Sequence, residues 1–124
     1  IAPQRIEGFL TLQPEIAQAM IYGDRKPNLS ALILPDPEFT ADWAKKTGKV
    51  TPHNLVDDDG FRGAISAAVD RVNADLSVIE RVRRFIIINE PFTIENEMMT
   101  PSMKIRRHII KERYGEALEA LYVR

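Results

Sequence analysis

The sequence contains no cysteine. Disulfides, thiolate catalysis and Cys-ligated zinc are therefore excluded, and the composition fits a cytosolic setting. Positive charge is not in excess. Lys and Arg number 17 against 18 Asp and Glu, a net charge of −1, whereas a dedicated nucleic-acid-binding domain is clearly basic. No apolar run approaches the roughly 20 residues that span a bilayer, and the opening residues carry no signal-peptide pattern. Neither G-x-x-x-x-G-K-[ST] nor G-x-G-x-x-G occurs, so phosphate cradles of those kinds are missing. No nucleophile-elbow pattern surrounds Ser30, Ser66 or Ser102. His53 and His108 lack metal-ligand spacing, and no metal site is expected. Asp57-Asp58-Asp59-Gly60 lacks the alternating ligands and closing Glu of a calcium loop. It reads instead as a helix N-cap.

What is present is ordinary for a globular chain. The 124 residues suffice for one domain with a core, residues 1–124, but not for two. Ile6, Phe9 and Leu10 mark one face of an opening helix with Pro3 in its first turn, ended at Gln13-Pro14. From Ile16 to Tyr22, Ala17, Ala19 and Ile21 alternate with Gln18, Met20 and Tyr22, a strand pattern. The turn residues of Gly23 to Asn28 lead to a returning, apolar strand from Leu29 to Leu34. Asp36-Pro37 begins a helix as N-cap and first residue. Phe39 and Trp43 lie on its inner face, and Lys45, Lys46 and Lys49 near its C-terminus suit the helix dipole. Phe61, Ile65, Ala68, Val69, Val72 and Leu76 form one helical stripe. Arg83 to Ile88, apolar on both faces, reads as a covered central strand, broken by Asn89-Glu90-Pro91-Phe92.

This order predicts an α+β domain: a small, mainly antiparallel sheet, a hairpin plus a third strand, flanked by helices. The stretch from Thr93 to Arg107 organises the chain. It reads as a polar loop running into a basic helix, with Thr100 as N-cap, Pro101 at the first position and Lys104 in the first turn. Gly115 is expected to interrupt or restart that helix.

Several runs resemble the C-terminal domain of long-chain fatty acyl-CoA synthetases, AMP-forming members of the adenylate-forming superfamily. They are T-P-S-M-K-I-R-R at Thr100 to Arg107, I-A-P-x-x-I-E at the start, and G-D-x-K-P-x-L-S-A-L-I in the hairpin. The resemblance covers essentially the whole chain and is weakest from Thr47 to Gly60. Two departures stand out. Family members often carry Gly and Leu in an N-G-x-L-T-P pattern where this chain has Asn96-Glu97-Met98-Met99. Ser102-Met103 stands where Thr and Leu are common.

The resemblance implies an activity and a site. Lys104 matches the lysine that enters the active site of a larger N-terminal domain during adenylation and contacts the acyl carboxylate and the phosphate. It also implies that the domain later rotates so that CoA can attack the acyl-adenylate. Arg106 and Arg107 match the basic pair after that lysine. They are candidates for CoA phosphates or for acids of the N-terminal domain, and pairing with acids of this chain explains them equally well. Arg5 and Glu7 are the nearest survivors of the thioester-forming segment. The family's K-x-S-x-G-E-N loop would lie upstream of Ile1, so the chain is expected to begin just beyond the hinge and to be inactive alone. ATP and Mg²⁺ would bind mainly to the N-terminal domain, with CoA as co-substrate and a fatty acid as substrate. The expected setting is cytoplasmic, and peripheral attachment of the parent to a membrane is compatible with so apolar a substrate. Two alternatives remain at this point. One is a synthetase for another carboxylic acid. The other is a stand-alone interaction module docking through a basic helix at 104–113.

Overall fold

The computed structural model describes residues 2–48 and 55–123. Lys49 and His53, named above, lie outside the described residues. Helix α1 (Pro3–Thr11) precedes strands β1 (Ile16–Tyr22) and β2 (Leu29–Pro35). Helices α2 (Pro37–Thr47) and α3 (Asp59–Asn73) follow, then a 3₁₀ turn (Val78–Glu80), strand β3 (Val82–Ile87) and helix α4 (Arg107–Ala120).

The local chemistry accounts for these boundaries. Asp36 accepts a bond from the Phe39 N–H at 3.1 Å, Pro37 opens α2, and left-handed Gly48 (φ 74°) ends it. Asp58 accepts from the Phe61 N–H at 2.9 Å, so the acidic run does cap a helix. Asn73 ends α3 and then pairs through its amide with both the N–H and the carbonyl of Val82, each at 2.9 Å. The helix expected to reach Leu76 ends at Asn73, yet Leu76 is buried.

The hairpin and third strand form the expected α+β sheet, in the order β1-β2-β3, which leaves β3 at an edge with Arg83 and Arg84 exposed rather than in the covered centre expected of it. β1 and β2 are antiparallel, with Ile21 opposite Ala31. β3 pairs parallel to β2, with Ala31 opposite Phe85, so the sheet is mixed. The reason is the connection. Between β2 and β3 the chain runs through α2 and α3, and such a crossover can return it to the starting end of β2.

The sheet divides two apolar cores. Alternation sends Ala31 and Ile33 of β2, with Ala19 and Ile21 of β1, toward Ile6 and Leu10 of α1 and Phe61, Ile65 and Val69 of α3, while Phe9, expected on the same buried face as Ile6 and Leu10, is exposed. Leu32, Met20 and Ile88 face the other way, toward Phe92, Met98, Met99, Ile110 and Leu118. Phe61 stacks on Phe39 at 5.6 Å and meets Trp43 edge-on at 6.0 Å. The central strand β2 is thus buried on both sides.

The last helix departs from its expected limits. It begins at Arg107 rather than Pro101, and Gly115 lies inside an unbroken run to Ala120. One glycine costs a helix about 1 kcal/mol relative to alanine. The buried contacts of Ile110 and Leu118 on either side offset that cost. The C-terminal end is latched to the hairpin turn. The Tyr22 hydroxyl donates to Glu119, the Lys26 ammonium reaches the same carboxylate at 2.5 Å, and the Tyr122 hydroxyl donates to the Asn28 carbonyl at 2.9 Å.

Glu119 is held below the usual carboxylate range by its hydrogen bonds from Lys26 and Tyr22. The Tyr22 phenol is pushed up to about 12, chiefly by its bond to Glu119. A raised folded-state pKa means this contact stabilises fully below the unfolded value and is lost as pH rises through about 12. Replacing Glu119 by Ala should bring the Tyr22 transition back toward its ordinary value of roughly 10. Ultraviolet titration of the tyrosines, with Tyr22→Phe to assign the transition, measures this.

Candidate functional site

The segment from Asn89 to Arg106 is irregular, but bonded side chains fix it. Gln18 on β1 holds Phe92 by a pair of bonds. Its Oε1 accepts from the Phe92 N–H at 2.7 Å and its Nε2 donates to the Phe92 carbonyl at 3.0 Å. Asn96 organises the next turn. Its Oδ1 accepts from the N–H groups of Thr93 and Met98, each at 3.0 Å, and its Nδ2 donates to the Pro91 carbonyl at 2.8 Å. Met98 and Met99 then anchor the segment in the second core.

Lys104 closes a small hairpin rather than sitting in a helix. Met99 and Ile105 form an antiparallel bridge. The Met103 N–H donates to the Thr100 carbonyl at 2.9 Å, and the Thr100 N–H donates to the Lys104 carbonyl at 2.8 Å. Met103 is left-handed, with φ 66°. A turn followed by one left-handed residue is a known three-residue hairpin loop. Proline's fixed φ serves the second position of such a turn as well as the first position of a helix. That ambiguity explains why the T-P-S run misleads as a helix start.

Among the described residues, the exposed Lys104 ammonium has no ion pair or hydrogen-bond partner. The residue borders a shallow cleft of about 290 Å³ with Gln4, Glu7, Gly8 and Thr11 of α1. An unneutralised ammonium on a fixed loop can meet an arriving anion. No group of three or more His, Asp or Glu that could hold a metal is found among the described residues.

Two of the other candidates meet. Glu7 is only 8% exposed. Arg107 donates Nη1 to Glu7 Oε2 at 2.6 Å and Nη2 to Oε1 at 3.0 Å. The Ile21 N–H donates to Glu7 at 2.7 Å, and the Ile21 carbonyl accepts from Arg107 at 3.2 Å. Arg106 donates to the Glu97 carbonyl at 3.3 Å. Arg5 is not part of this group. It pairs with Glu80 at 3.0 Å and lies over the Phe9 ring.

A second cleft, of about 450 Å³, joins residues of two separate motifs that the sequence did not connect. Arg25 and Lys26 of the hairpin turn line it with Arg107 and Lys111 of α4. The available signal was the four-residue spacing of Arg107 and Lys111, which puts both on one helix face. The Glu7–Arg107 pair stands between the clefts, Glu7 bordering the first and Arg107 the second. Much of the cationic face of α4 is engaged within the domain. Arg113 pairs with Glu90 at 3.3 Å, and Lys111 lies over the Tyr22 ring.

Comparison with known proteins gives three findings. The family model described as the AMP-binding enzyme C-terminal domain matches residues 1–124. A long-chain-fatty-acid–CoA ligase of Mycobacterium tuberculosis is 35% identical over 98% of this chain, which covers 21% of that protein. The peroxisomal long chain acyl-CoA synthetase 7 of Arabidopsis thaliana is 34% identical over 98% of the chain and 18% of its own length. Among solved structures, the adenylation domain of a carboxylate reductase from Mycobacterium chelonae superposes with a TM-score of 0.83 at 29% identity. It is matched over the whole of this chain and 18% of its own. The chain spans about a fifth of the length of the curated relatives it matches.

Two substitutions probe the site's support. Arg107→Ala strands a buried carboxylate and should cost about 2–3 kcal/mol, seen as a lower denaturant midpoint. Glu97 is left-handed, with φ 66°, where the family pattern has Gly. Glu97→Gly should stabilise the protein by about 1 kcal/mol, because glycine carries no Cβ penalty there. Differential unfolding of the two variants reads both signs.

Proposed function

Because the chain belongs to the AMP-binding enzyme C-terminal domain family, we propose that it is the lid domain of a long-chain fatty acid–CoA ligase and that Lys104 serves its adenylation step. The observation that carries this reading is the exposed, unneutralised lysine on a bonded loop, in a chain whose relatives are named as such ligases.

The chemistry suits the residue. The fatty acid's carboxylate oxygen attacks the α-phosphorus of ATP, forming an O–P bond while pyrophosphate leaves. Two anions must approach each other. An ammonium between them offsets the repulsion and stabilises the charge that develops. Lysine presents a compact charge on a flexible stem, and the guanidinium of a Lys104→Arg variant would be bulkier and forked. We assign ATP, Mg²⁺ and the acyl chain to the N-terminal domain of the same polypeptide.

The basic cleft of Arg25, Lys26, Arg107 and Lys111 is where we place the phosphates of CoA. Arg107 and Lys26 contribute there as members of ion pairs with Glu7 and Glu119, so Arg25 and Lys111 carry more of the attraction. We assign the parent a cytoplasmic setting, a reading with which the lack of cysteine in these 124 residues is compatible. No described helix is long and apolar enough to cross a membrane. Peripheral membrane association of the parent is compatible with this.

The likeness to the carboxylate reductase supports a second reading, the corresponding domain of a carboxylic acid reductase. Both readings need adenylation, and the fate of the adenylate separates them. A ligase parent releases acyl-CoA when CoA is supplied, whereas a reductase reduces the acid.

The test is fatty-acid-dependent ATP–pyrophosphate exchange by the full-length parent with Lys104→Ala. Exchange should fall by roughly 10²–10³, while thioester formation from supplied acyl-adenylate is largely kept. Unchanged exchange in a folded variant would make Lys104 an ordinary surface lysine.

A further inference from the structure

We infer that Thr100 is a positioning residue for Lys104, a role that rests on the adenylation reading above. The loop carrying the lysine is short, and most of its bonds are main chain to main chain. The Thr100 N–H to Lys104 carbonyl bond is 2.8 Å, and the Arg106 N–H to Met98 carbonyl bond is 2.7 Å. Any residue at 100 other than proline could make the first of these. The Lys104 N–H is different. It donates to the Thr100 hydroxyl oxygen at 3.1 Å. Thr100 therefore grips the lysine's peptide units on both sides, by its own N–H and by its side chain.

The hydroxyl also has a use for its remaining capacity. Thr100 Oγ1 lies 3.0 Å from Ser102 Oγ. With Oγ1 accepting from Lys104, the Thr100 hydroxyl proton is free to go to Ser102. The result is a chain from the Lys104 N–H through Thr100 to Ser102, closed across the turn. This matters because Met103, between them, is left-handed and not glycine. Such a conformation persists only where the surroundings over-determine it. Without the hydroxyl, the loop can relax toward ordinary backbone angles and carry the Lys104 Cα with it. A lysine stem is itself flexible, so a wandering anchor spreads the ammonium over still more space. Displacements of about 1 Å are enough to reduce catalysis measurably.

The test uses the full-length enzyme. Thr100→Val keeps the shape and β-branching and removes the hydroxyl. Exchange kcat should fall roughly 3- to 10-fold, the value of one neutral hydrogen bond. KM for ATP and fatty acid should stay unchanged, and the unfolding midpoint should fall by no more than the loss of one hydrogen bond, because Thr100 is half-buried and outside both apolar cores. Thr100→Ser should restore kcat, since it returns the acceptor. Thr100→Ala repeats the loss should the valine disturb folding. Wild-type kcat in Thr100→Val, alongside a large loss in Lys104→Ala, overturns the positioning role and leaves the adenylation reading standing. A loss that Thr100→Ser does not restore also overturns it. Unchanged exchange in Lys104→Ala defeats the adenylation reading itself, and this inference with it.

Discussion

Much of the site depends on one buried carboxylate. β1 is an edge strand, and an edge leaves main-chain groups without strand partners. At Ile21 the N–H is taken by Glu7 and the carbonyl by Arg107. The two side chains also close on each other in a two-pronged ion pair. Burying a lone carboxylate is expensive, and the guanidinium removes that expense only because its fork matches both oxygens. A lysine at 107 could not make the same set of bonds. The pair thereby joins α1, β1 and the start of α4, which are far apart in the chain. It also fixes where the Lys104 loop must emerge, three residues before Arg107.

The sheet gives that pair something rigid to bind. β2 is buried on both faces, so neither core can shift without the other. The first core seats α1 and therefore Glu7. The second seats Met98, Met99 and Ile110, which bracket the Lys104 hairpin on both sides in sequence. Gln18 and Asn96 then give main-chain groups of the intervening segment partners that no regular element supplies. An irregular loop becomes a defined platform because its polar groups are satisfied one by one. The exposed ammonium of Lys104, which closes the hairpin, has no partner among the described residues.

Legibility in the sequence follows the range of the forces involved. Alternation in β1, the apolar run of β2, the stripe on α3 and the caps at Asp36 and Asp58 are local signals, and each has its counterpart in the structure. The T-P-S run misleads because proline's φ fits both a helix start and a turn, and only the Met99–Ile105 bridge chooses between them. Gly115 misleads because helix propensity is weak against the burial of Ile110 and Leu118. The mixed sheet escapes the sequence because strand direction depends on the path of the crossover, not on strand composition. Arg107 stays between a ligand role and a structural one. Its partner Glu7 lies 100 residues away, at a separation that no spacing rule reaches.

The sequence by itself determined the α+β class, the strand and helix faces, and the identity of the lysine to watch. The class and the faces follow from periodicity and local backbone chemistry, which act over a few residues, whereas the lysine was singled out by resemblance to a family's closing motif. Tertiary structure alone decided that Glu7 and Arg107 share a bond, that Arg5 lies apart with Glu80, and that Arg25 and Lys26 meet Lys111 across a cleft. It also decided that Lys104 ends a hairpin instead of beginning a helix. These are contacts between distant segments. Their outcome is set by which groups the packed cores bring within bonding distance, and by the cost of leaving any buried polar group without a partner.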